Sequence, residues 1–454
     1  MDEWWIGPMG RTFGGRRVVL AGAMATAWTE HIALLRSVGA EDIIVIATQG
    51  RGAGELPDVE TIALDMPNDL STMEQIRFGE RALAEPPDEV LEALHRFDPQ
   101  RRAVVVGTFL NTAPTIDGRP FLSYRRPEWV ALEDKVVIDA FWDRAGVERR
   151  PSHAVPFGQA TDAARQIDRG DGTVWAADAR DGFHGGASAT YWVNDTASER
   201  RAITGLRGMC DRVRVMPFME GIPCSIHGIV MSDGVAAMRP VEMVTLRRGY
   251  DFVYAGCATF WDPDPHARDQ MRSIVRRTGE QLAAEVGFRG TFTVDGVVAA
   301  DRFWPTELNP RFGAGINTIA RAADVPILML NELIGGGIDI GVSASRLEET
   351  LVAAADARRG GGTWMGGLTQ SSDADGRDVA CDGTLRWNWT RDRHRRSGTL
   401  QAGQRFLRCT YEPSATPVGP STAARAASFW DFAALELGAD TAGLSPARPI
   451  TTRV

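Results

Sequence analysis

The sequence predicts a mixed fold, with an α/β unit at the N-terminus, an α+β central region and a small C-terminal region. Three observations support this prediction. Two apolar runs flank a helical pattern near the N-terminus, short strand patterns dominate from about 172 to 310, and periodicity weakens in the last 75 or so residues. We expect three units, at 1–125, 126–345 and 346–454.

The N-terminal unit is predicted to be Rossmann-like. The apolar runs RVVLAG (17–22) and IIVIA (43–47) flank a helical pattern at 26–38, which indicates a strand–helix–strand unit. A longer helix at 73–96 and the buried-strand pattern AVVVG at 103–107 complete it. The dinucleotide fingerprint GxGxxG does not follow the first strand, so a nicotinamide oxidoreductase is a poor reading of this unit.

The central and C-terminal regions combine strands with a few helices. A polar stretch precedes a helix at 128–145, and a strong helix is predicted at 266–285. Helices return between 325 and 355, and the glycine-, serine- and aspartate-rich stretch that follows is typical of a linker. A strand pair around 383–411 and a final helix at 423–438 are expected. The central strand patterns are TVWAAD (173–178), RVRVMPF (212–218), SIHGIVM (225–231), VAAMRPVEMV (235–244), GTFTVDGVV (290–298) and RFWPTEL (302–308).

Composition excludes several classes of protein. The chain has 454 residues, of which 44% are hydrophobic and 24% charged, as expected for a globular protein with a sizeable core. Its net charge of −9 argues against nucleic-acid binding through phosphate neutralisation. No apolar run reaches the ~18 residues of a membrane helix, so no membrane partner and a cytoplasmic location are expected. The five cysteines are never in CxxC spacing, which disfavours a zinc site.

A candidate metal site lies in the hairpin pattern of residues 287–316. Side chains alternate along a strand, so Glu307 and Asn309 point to one face and Asp295 can fall opposite them. Two carboxylates and an amide are the oxygen ligands that suit Mg²⁺. Arg311 follows closely enough to reach a transferring phosphoryl group or an oxyanion. The alternative is a surface hairpin with solvated acids.

A glycine-rich turn lies between two strand patterns in TVWAADARDGFHGGASATYWV (173–193). Glycines allow backbone N–H groups to approach phosphates closely, although a tight turn needs glycine for geometry alone. His184 in this turn is a candidate phosphate contact or a plain surface residue. The glycines are Gly182, Gly185 and Gly186.

The strand pattern ending near residue 219 is a candidate nucleotide hinge. Its main chain could pair with an adenine edge, with Glu220 near the ribose hydroxyls. The alternative is that this segment is only a strand of the hydrophobic core. Beyond the next hairpin turn, arginines and one acid lie between the candidate sites, where they could grip a substrate carboxylate or form a salt-bridged face. The hinge residues are Met216, Pro217, Phe218 and Met219, and the polar residues are Arg239, Glu242, Arg247 and Arg248.

Four segments taken in order resemble the ATP-grasp superfamily, namely LEDKVVIDAFWDRAGVERRPSHAVP, DGFHGG, PFMEG and D…TELNPRFG. The resemblance covers about residues 130–335. It implies a core of two α+β subdomains that clamp ATP, preceded by a pre-ATP-grasp domain. It also implies Mg²⁺ and a reaction in which a carboxylate is activated as an acyl phosphate and then attacked by an amine.

The resemblance implies a role for each candidate residue. Asp295, Glu307 and Asn309 correspond to the metal ligands, and Arg311 to the catalytic arginine, beside which we expect Arg239 to act. Gly182–Gly186 resemble the phosphate lid, Met216–Glu220 the adenine hinge, and Lys135, the only lysine of the chain, a nucleotide-contacting lysine. Glu242, Arg247 and Arg248 would bind substrate.

One departure from the family pattern concerns the strand before the lid, which usually carries a second lysine. The corresponding segment reads AADAR (176–180), so either Arg180 substitutes for that lysine or the contact is absent. A catalytically silent nucleotide-binding protein is therefore an alternative to an active ligase.

The N-terminal unit with GTFLNTAPTIDGRPFLSYRRPEWVALEDK, the segments PFMEGIPCSIHGIVM and RPVEMVTLRR, and the C-terminal extension resemble the pheganomycin-type peptide ligases. This resemblance implies a small-molecule carboxylate donor, a nonproteinogenic guanidino or amidino amino acid, and a peptide whose N-terminal amine is the acceptor. A ligase for small amino acids or dipeptides is the alternative. Residues 346–454 are expected to cover the acceptor peptide or to form a homodimer contact.

Overall fold

The N-terminal unit is a parallel sheet with helices on both faces. The computed structural model describes residues 3–52, 55–67, 70, 72–180, 185, 188–366, 368, 374–403 and 406–447. Four strands pair in the order β3-β2-β1-β4. The elements are α1 (Ile6–Phe13), β1 (Arg17–Ala21), α2 (Thr29–Ser37), β2 (Asp42–Ala47), β3 (Glu60–Ala63), α3 (Thr72–Ala84), α4 (Asp88–Phe97), β4 (Val104–Val106), β5 (Thr115–Ile116) and β6 (Arg119–Pro120).

The predicted strand–helix–strand pattern of this unit is confirmed, with one correction. The helix expected at 73–96 is two helices, α3 and α4, separated by Pro86 and Pro87. Proline lacks the N–H that a continuous helix needs and disfavours helical geometry at the preceding residue. Side chains of β1 alternate between two separate cores, Val18 and Leu20 on one side and Val19 and Ala21 on the other. Burial on both faces explains the continuous apolar runs.

A small antiparallel sheet follows, with strand order β7-β10-β8-β9. The helix expected at 128–145 is instead two short helices, and Lys135 lies between them. Ala163 and Leu206, on the two helices of this unit, pack against the buried Trp175 of the sheet. The elements are α5 (Pro127–Val130), α6 (Ile138–Arg144), β7 (His153–Pro156), α7 (Ala160–Ile167), β8 (Thr173–Ala177), β9 (Thr190–Val193), α8 (Thr196–Leu206) and β10 (Arg212–Pro217).

The rest of the chain builds one large antiparallel sheet. Its order is β16-β15-β11-β13-β14-β17-β21-β20-β18-β19, with β12 paired to β11. The elements are β11 (Ile222–Val230), β12 (Val235–Ala237), β13 (Val241–Arg248), β14 (Asp251–Ala258), α9 (Pro265–Val286), β15 (Gly290–Ala299), β16 (Arg302–Asn309), α10 (Ala314–Ala323), α11 (Ile327–Gly335), α12 (Ala344–Ala357), β17 (Gly361–Gly366), β18 (Asp378–Cys381), β19 (Trp387–Thr390), β20 (Gly398–Gly403), β21 (Phe406–Tyr411) and α13 (Ala423–Leu437).

The prediction of a linker after residue 357 is wrong for the first half of that stretch. Strand β17 lies there and pairs with β14 and β21 of the large sheet. Its glycines serve close strand packing. A Cβ on Gly362 would lie 2.2 Å from the carbonyl oxygen of Cys409, so only glycine fits. The C-terminal strands therefore continue the central sheet, and α13 packs over it.

The predicted fold class, α/β followed by α+β, is confirmed. In the part of the chain that the structure describes, no helix combines the length and apolar character that crossing a membrane requires.

Candidate active site

A cleft of about 330 Å³ lies between the small sheet and the large sheet. Strands β8 and β10 line one side, and β11, β13, β14, β15 and β16 line the other. The cleft brings together residues that are far apart in the sequence. The predicted site residues that line it are Lys135, Gly185, Met216, Pro217, Phe218, Met219, Arg247, Asp295, Glu307, Asn309 and Arg311.

One end of the cleft is charged, and the hairpin of β15 and β16 builds it. The strand register places Asp295 directly opposite Glu307, and Asn309 follows two residues after Glu307. The side-chain amide of Asn309 donates a hydrogen bond from Nδ2 to Oδ2 of Asp295 over 2.9 Å. Ser225, on the neighbouring β11, donates to the other oxygen of Asp295. The oxygen ligands predicted from strand alternation thus lie side by side.

Electrostatics at this end favour a cation. Burial, and then the negative charge of Glu307, raise the pKa of Asp295 above its ordinary value. A divalent cation would offset both effects, because it neutralises the two carboxylates. Among the described residues, no group of three or more His, Cys, Asp or Glu is placed to hold a metal ion. Asp295, Glu307 and Asn309 are instead a mixed set of carboxylate and amide oxygens, which suits a hard ion such as Mg²⁺.

Two cationic side chains border the carboxylates. Lys135 places Nζ 3.5 Å from Oε2 of Glu307. Arg311 donates from Nη2 to Oδ1 of Asn309 over 2.9 Å and from Nε to Oε1 of Glu133 over 3.1 Å. Glu133 also accepts from Arg125 and is almost fully buried. The side chain of Arg311 is therefore fixed in orientation at the wall of the cleft.

The other end of the cleft is aromatic. The ring of Phe218 stacks on Trp192, with centroids 4.3 Å apart and planes 21° apart. The guanidinium of Arg247 lies over both rings, 5.0 Å from the centroid of Phe218 and 5.3 Å from that of Trp192. Glu220 fixes Arg247 through an ion pair of 2.6 Å. Arg247, predicted from the sequence as a substrate contact, thus lies beside the hinge segment.

Sequence reasoning missed the residues that shape the floor of the cleft. His227 lies on β11, two residues after Ser225, and its Nδ1 is 2.8 Å from Oγ1 of Thr293. Burial lowers the pKa of His227 to about 3, so the ring is neutral. A Cβ on Gly315 would lie 2.4 Å from Nε2 of this histidine. Strand alternation through Ser225 and His227 was the available signal.

Among the residues predicted to be catalytic or to bind substrate, three lie outside the cleft. Arg239 is buried and pairs with Asp262 and Asp356, and this geometry speaks against the predicted catalytic role. Glu242 is buried on the opposite face of β13. Its carboxylate accepts hydrogen bonds from Ser421 and Thr422, just before α13, and these contacts explain why a carboxylate lies there. Arg248 donates to the carbonyl oxygen of Asp440 at the surface.

The segment predicted as a phosphate lid is described only in part. Gly185 lines the cleft, whereas Gly182, His184 and Gly186 lie outside the described residues. Arg180 pairs with Asp211 over 3.1 Å and donates to the carbonyl oxygen of Gly208. The substitution of Arg180 for the usual lysine therefore stays a prediction.

No protein-family model and no curated protein sequence matches the chain. Solved structures do match it over most of its length. The biotin carboxylase domain of Hydrogenobacter thermophilus 2-oxoglutarate carboxylase, in complex with MgADP, ADP and bicarbonate, gives a TM-score of 0.56 at 12% identity. That match covers 93% of this chain and 88% of the other.

Two further structures are similar. L-amino acid ligase from Bacillus licheniformis gives a TM-score of 0.52 at 12% identity, covering 87% of this chain and 93% of the other. N5-carboxyaminoimidazole synthetase from Staphylococcus aureus, in complex with ADP, gives 0.52 at 10% identity, covering 89% and 95%. At these identities the similarity concerns the fold, and it confirms the ATP-grasp fold that the sequence motifs predict.

Proposed function

We propose that this chain is an ATP-dependent, ADP-forming carboxylate-amine ligase that makes an amide bond through an acyl phosphate. The observation that carries the proposal is the charged end of the cleft. There, Asp295 and Glu307 face each other, Asn309 adjoins them, and Lys135 and Arg311 border the same space.

Each of these residues has a task in the proposed reaction. Asp295, Glu307 and Asn309 would hold Mg²⁺, which supplies charge neutralisation for phosphoryl transfer. Arg311, fixed by Glu133 and Asn309, stabilises the negative charge that develops when the carboxylate oxygen takes the phosphoryl group. Lys135 adds a positive charge at the same end. Exclusion of water from the cleft during the reaction would preserve the mixed anhydride until the amine attacks.

The aromatic end fits the base and ribose of a nucleotide. Phe218 lines this end with Trp192 stacked on its ring, and Met216, Pro217 and Met219 border the same space. Glu220, held by Arg247, lies next to this segment and could accept from ribose hydroxyls. The structures of the similar proteins with ADP or MgADP support ATP and Mg²⁺ as the cofactors.

For the substrates, we propose a small-molecule carboxylate donor and a peptide amine acceptor. The sequence resemblance to pheganomycin-type peptide ligases supports a nonproteinogenic guanidino or amidino acid as donor, in the biosynthesis of a peptide natural product such as an antibiotic. The fold shared with L-amino acid ligase also supports a ligase for small amino acids. Donor and acceptor pools that include both kinds of compound distinguish the two.

The test is release of ADP and phosphate from Mg-ATP with acids and amines supplied singly and in pairs. We expect release that requires both, and a product whose mass equals their sum less water. A Glu307→Ala variant serves as the blank. Release that needs no acid, or a nucleotide product other than ADP, would contradict the proposal.

A second candidate is a nucleotide-binding protein that has lost catalysis. One observation favours it, because the strand before the lid has no lysine and Arg180 is turned toward Asp211 and the Gly208 carbonyl. Tight ATP binding without ADP release for any pair, guanidino acids included, would support this candidate.

We also propose a cytoplasmic location and a homodimer. The dimer described for the Hydrogenobacter domain supports the second proposal. Light scattering during size-exclusion chromatography tests it, and a monomeric mass at micromolar concentration would reject it. Cell fractionation tests the location.

A further inference from the structure

A second cavity, of about 320 Å³, lies in the C-terminal region, away from the cleft. The turn after β18 and the segment that leads into α13 line it. Strand β13 separates the two spaces. Val241, Met243 and Thr245 of this strand line the cleft, whereas Glu242 between them bonds to Ser421 and Thr422, which line the second cavity.

The wall of this cavity contains a buried arginine with unmet hydrogen-bonding capacity. Arg425 is only 6% exposed, yet its Nε and Nη2 have no hydrogen-bond partner among the described residues. Its guanidinium lies 4.8 Å from the ring centroid of Trp387 and 5.5 Å from that of Tyr411. These contacts use the face of the guanidinium and leave Nε and Nη2 enclosed without a hydrogen-bond acceptor in the described part of the chain.

No carboxylate in the described part of the chain forms an ion pair with Arg425. Asp382 lines the same cavity, but its Oδ1 accepts hydrogen bonds from the backbone N–H groups of Thr384 and Arg386 over 2.8 and 3.0 Å. Because a buried cation without a counter-charge is costly, the cavity favours an anionic guest.

We propose that this cavity binds a small organic carboxylate, held by the positive charge of Arg425 at its wall. A carboxylate matches the guanidinium fork in shape and charge. The remaining walls include Leu385, Pro417 and Pro420, which suit an apolar group attached to that carboxylate. The site lies apart from the residues assigned to the ligase reaction, so it stands or falls independently of the proposed function.

The test uses fluorine NMR on the full chain, with para-fluorophenylacetate as the probe. We expect this acid to bind, and its uncharged counterpart, para-fluorophenylacetamide, to bind about tenfold more weakly or worse. Arg425→Leu should weaken binding of the acid about tenfold or more. The exposed neighbour Arg386 supplies the matched control, since Arg386→Leu removes a nearby charge that does not line the cavity.

A second variant is needed because Arg425→Leu can lose binding simply by failing to fold. Ala424 lines the cavity but is exposed, and glutamate is favourable in the first turn of a helix. Ala424→Glu should therefore fold and repel the acid. The proposal is overturned if wild type does not bind the acid, if the amide binds equally well, if inorganic phosphate binds more tightly than the acid, or if Ala424→Glu binds like wild type.

Discussion

The two ends of the candidate active-site cleft are built in different ways. The charged end comes mainly from one hairpin, in which the register of β15 and β16 fixes Asp295 opposite Glu307. The aromatic end is assembled from three separate strands, with Trp192 on β9, Phe218 just after β10 and Arg247 on β13. Local strand pairing therefore positions the charged groups, whereas the aromatic end also needs packing between the two sheets, which brings Arg247 over the stacked rings.

This difference predicts that the charged end controls the rate and the aromatic end controls affinity. The largest effect is expected from Glu307→Ala, because it removes a proposed metal ligand and leaves Asp295 without its partner carboxylate. ATP turnover should fall by about a thousandfold or more, as measured by ADP release. Asp301→Asn, at the exposed turn of the same hairpin, is the control and should keep wild-type turnover. Full activity of Glu307→Ala would refute the metal assignment.

The next effect concerns Arg311. Arg311→Lys keeps the charge but loses the forked contacts to Asn309 and Glu133. We expect kcat to fall about a hundredfold while the Kd of ATP changes little, because the contact matters most when charge develops. Single-turnover kinetics together with equilibrium ATP binding measure the two quantities. If only the Kd of ATP changed, Arg311 would have to be assigned to nucleotide binding and not to catalysis.

At the aromatic end, Arg247→Leu should weaken ATP binding about tenfold with little change of kcat at saturation. The reason is the loss of both the ring contacts and the ion pair with Glu220. Arg239→Met is the contrasting variant, since Arg239 is buried outside the cleft. It should lower the free energy of unfolding by about 2 kcal/mol and leave ATP affinity unchanged. Calorimetric titration measures the ATP affinity of both variants. Equal losses of affinity would contradict the distinction between Arg247 at the cleft and Arg239 outside it.

The remaining effect concerns stability near the charged end and leaves the ligase chemistry unchanged. Glu332 lines a small space that also contacts Arg311, and burial raises the pKa of Glu332 to about 8. Since the folded-state pKa lies above the ordinary value, its contribution to stability is present at acidic pH and is lost as the pH rises through about 8. Glu332→Gln should therefore raise the free energy of unfolding by about 1–3 kcal/mol near pH ~9 and have little effect near pH ~5. Denaturant titrations at both pH values test this, and a pH-independent effect would contradict it.

The charged end could be predicted from the sequence because strand alternation is a local rule. Glu307 and Asn309 share a face by spacing alone, and Asp295 needed only the hairpin register. The same rule separates Arg247, which lines the cleft, from Glu242 on the opposite face of β13. Proximity in the sequence alone had grouped these two residues together.

The aromatic end, the pairing of Arg239 and the position of β17 depend on contacts that spacing in the sequence does not predict. Trp192 and Phe218 meet across β8 within the small sheet, and Arg247 of the large sheet reaches both rings only because the two sheets pack side by side. Arg239 is a buried structural residue because Asp262 and Asp356 lie near it in space. The glycine-rich stretch at 360–362 has the composition of a linker, yet Gly361 and Gly362 allow β17 to approach its neighbours closely.

The most direct test of the acyl-phosphate route is transfer of oxygen from the acid to phosphate. The donor acid is labelled with heavy oxygen in its carboxylate, and the phosphate released from Mg-ATP is analysed by mass spectrometry. The account predicts one labelled oxygen in each phosphate formed together with the amide, and no labelled phosphate with Glu307→Ala. Amide formation with unlabelled phosphate would contradict it.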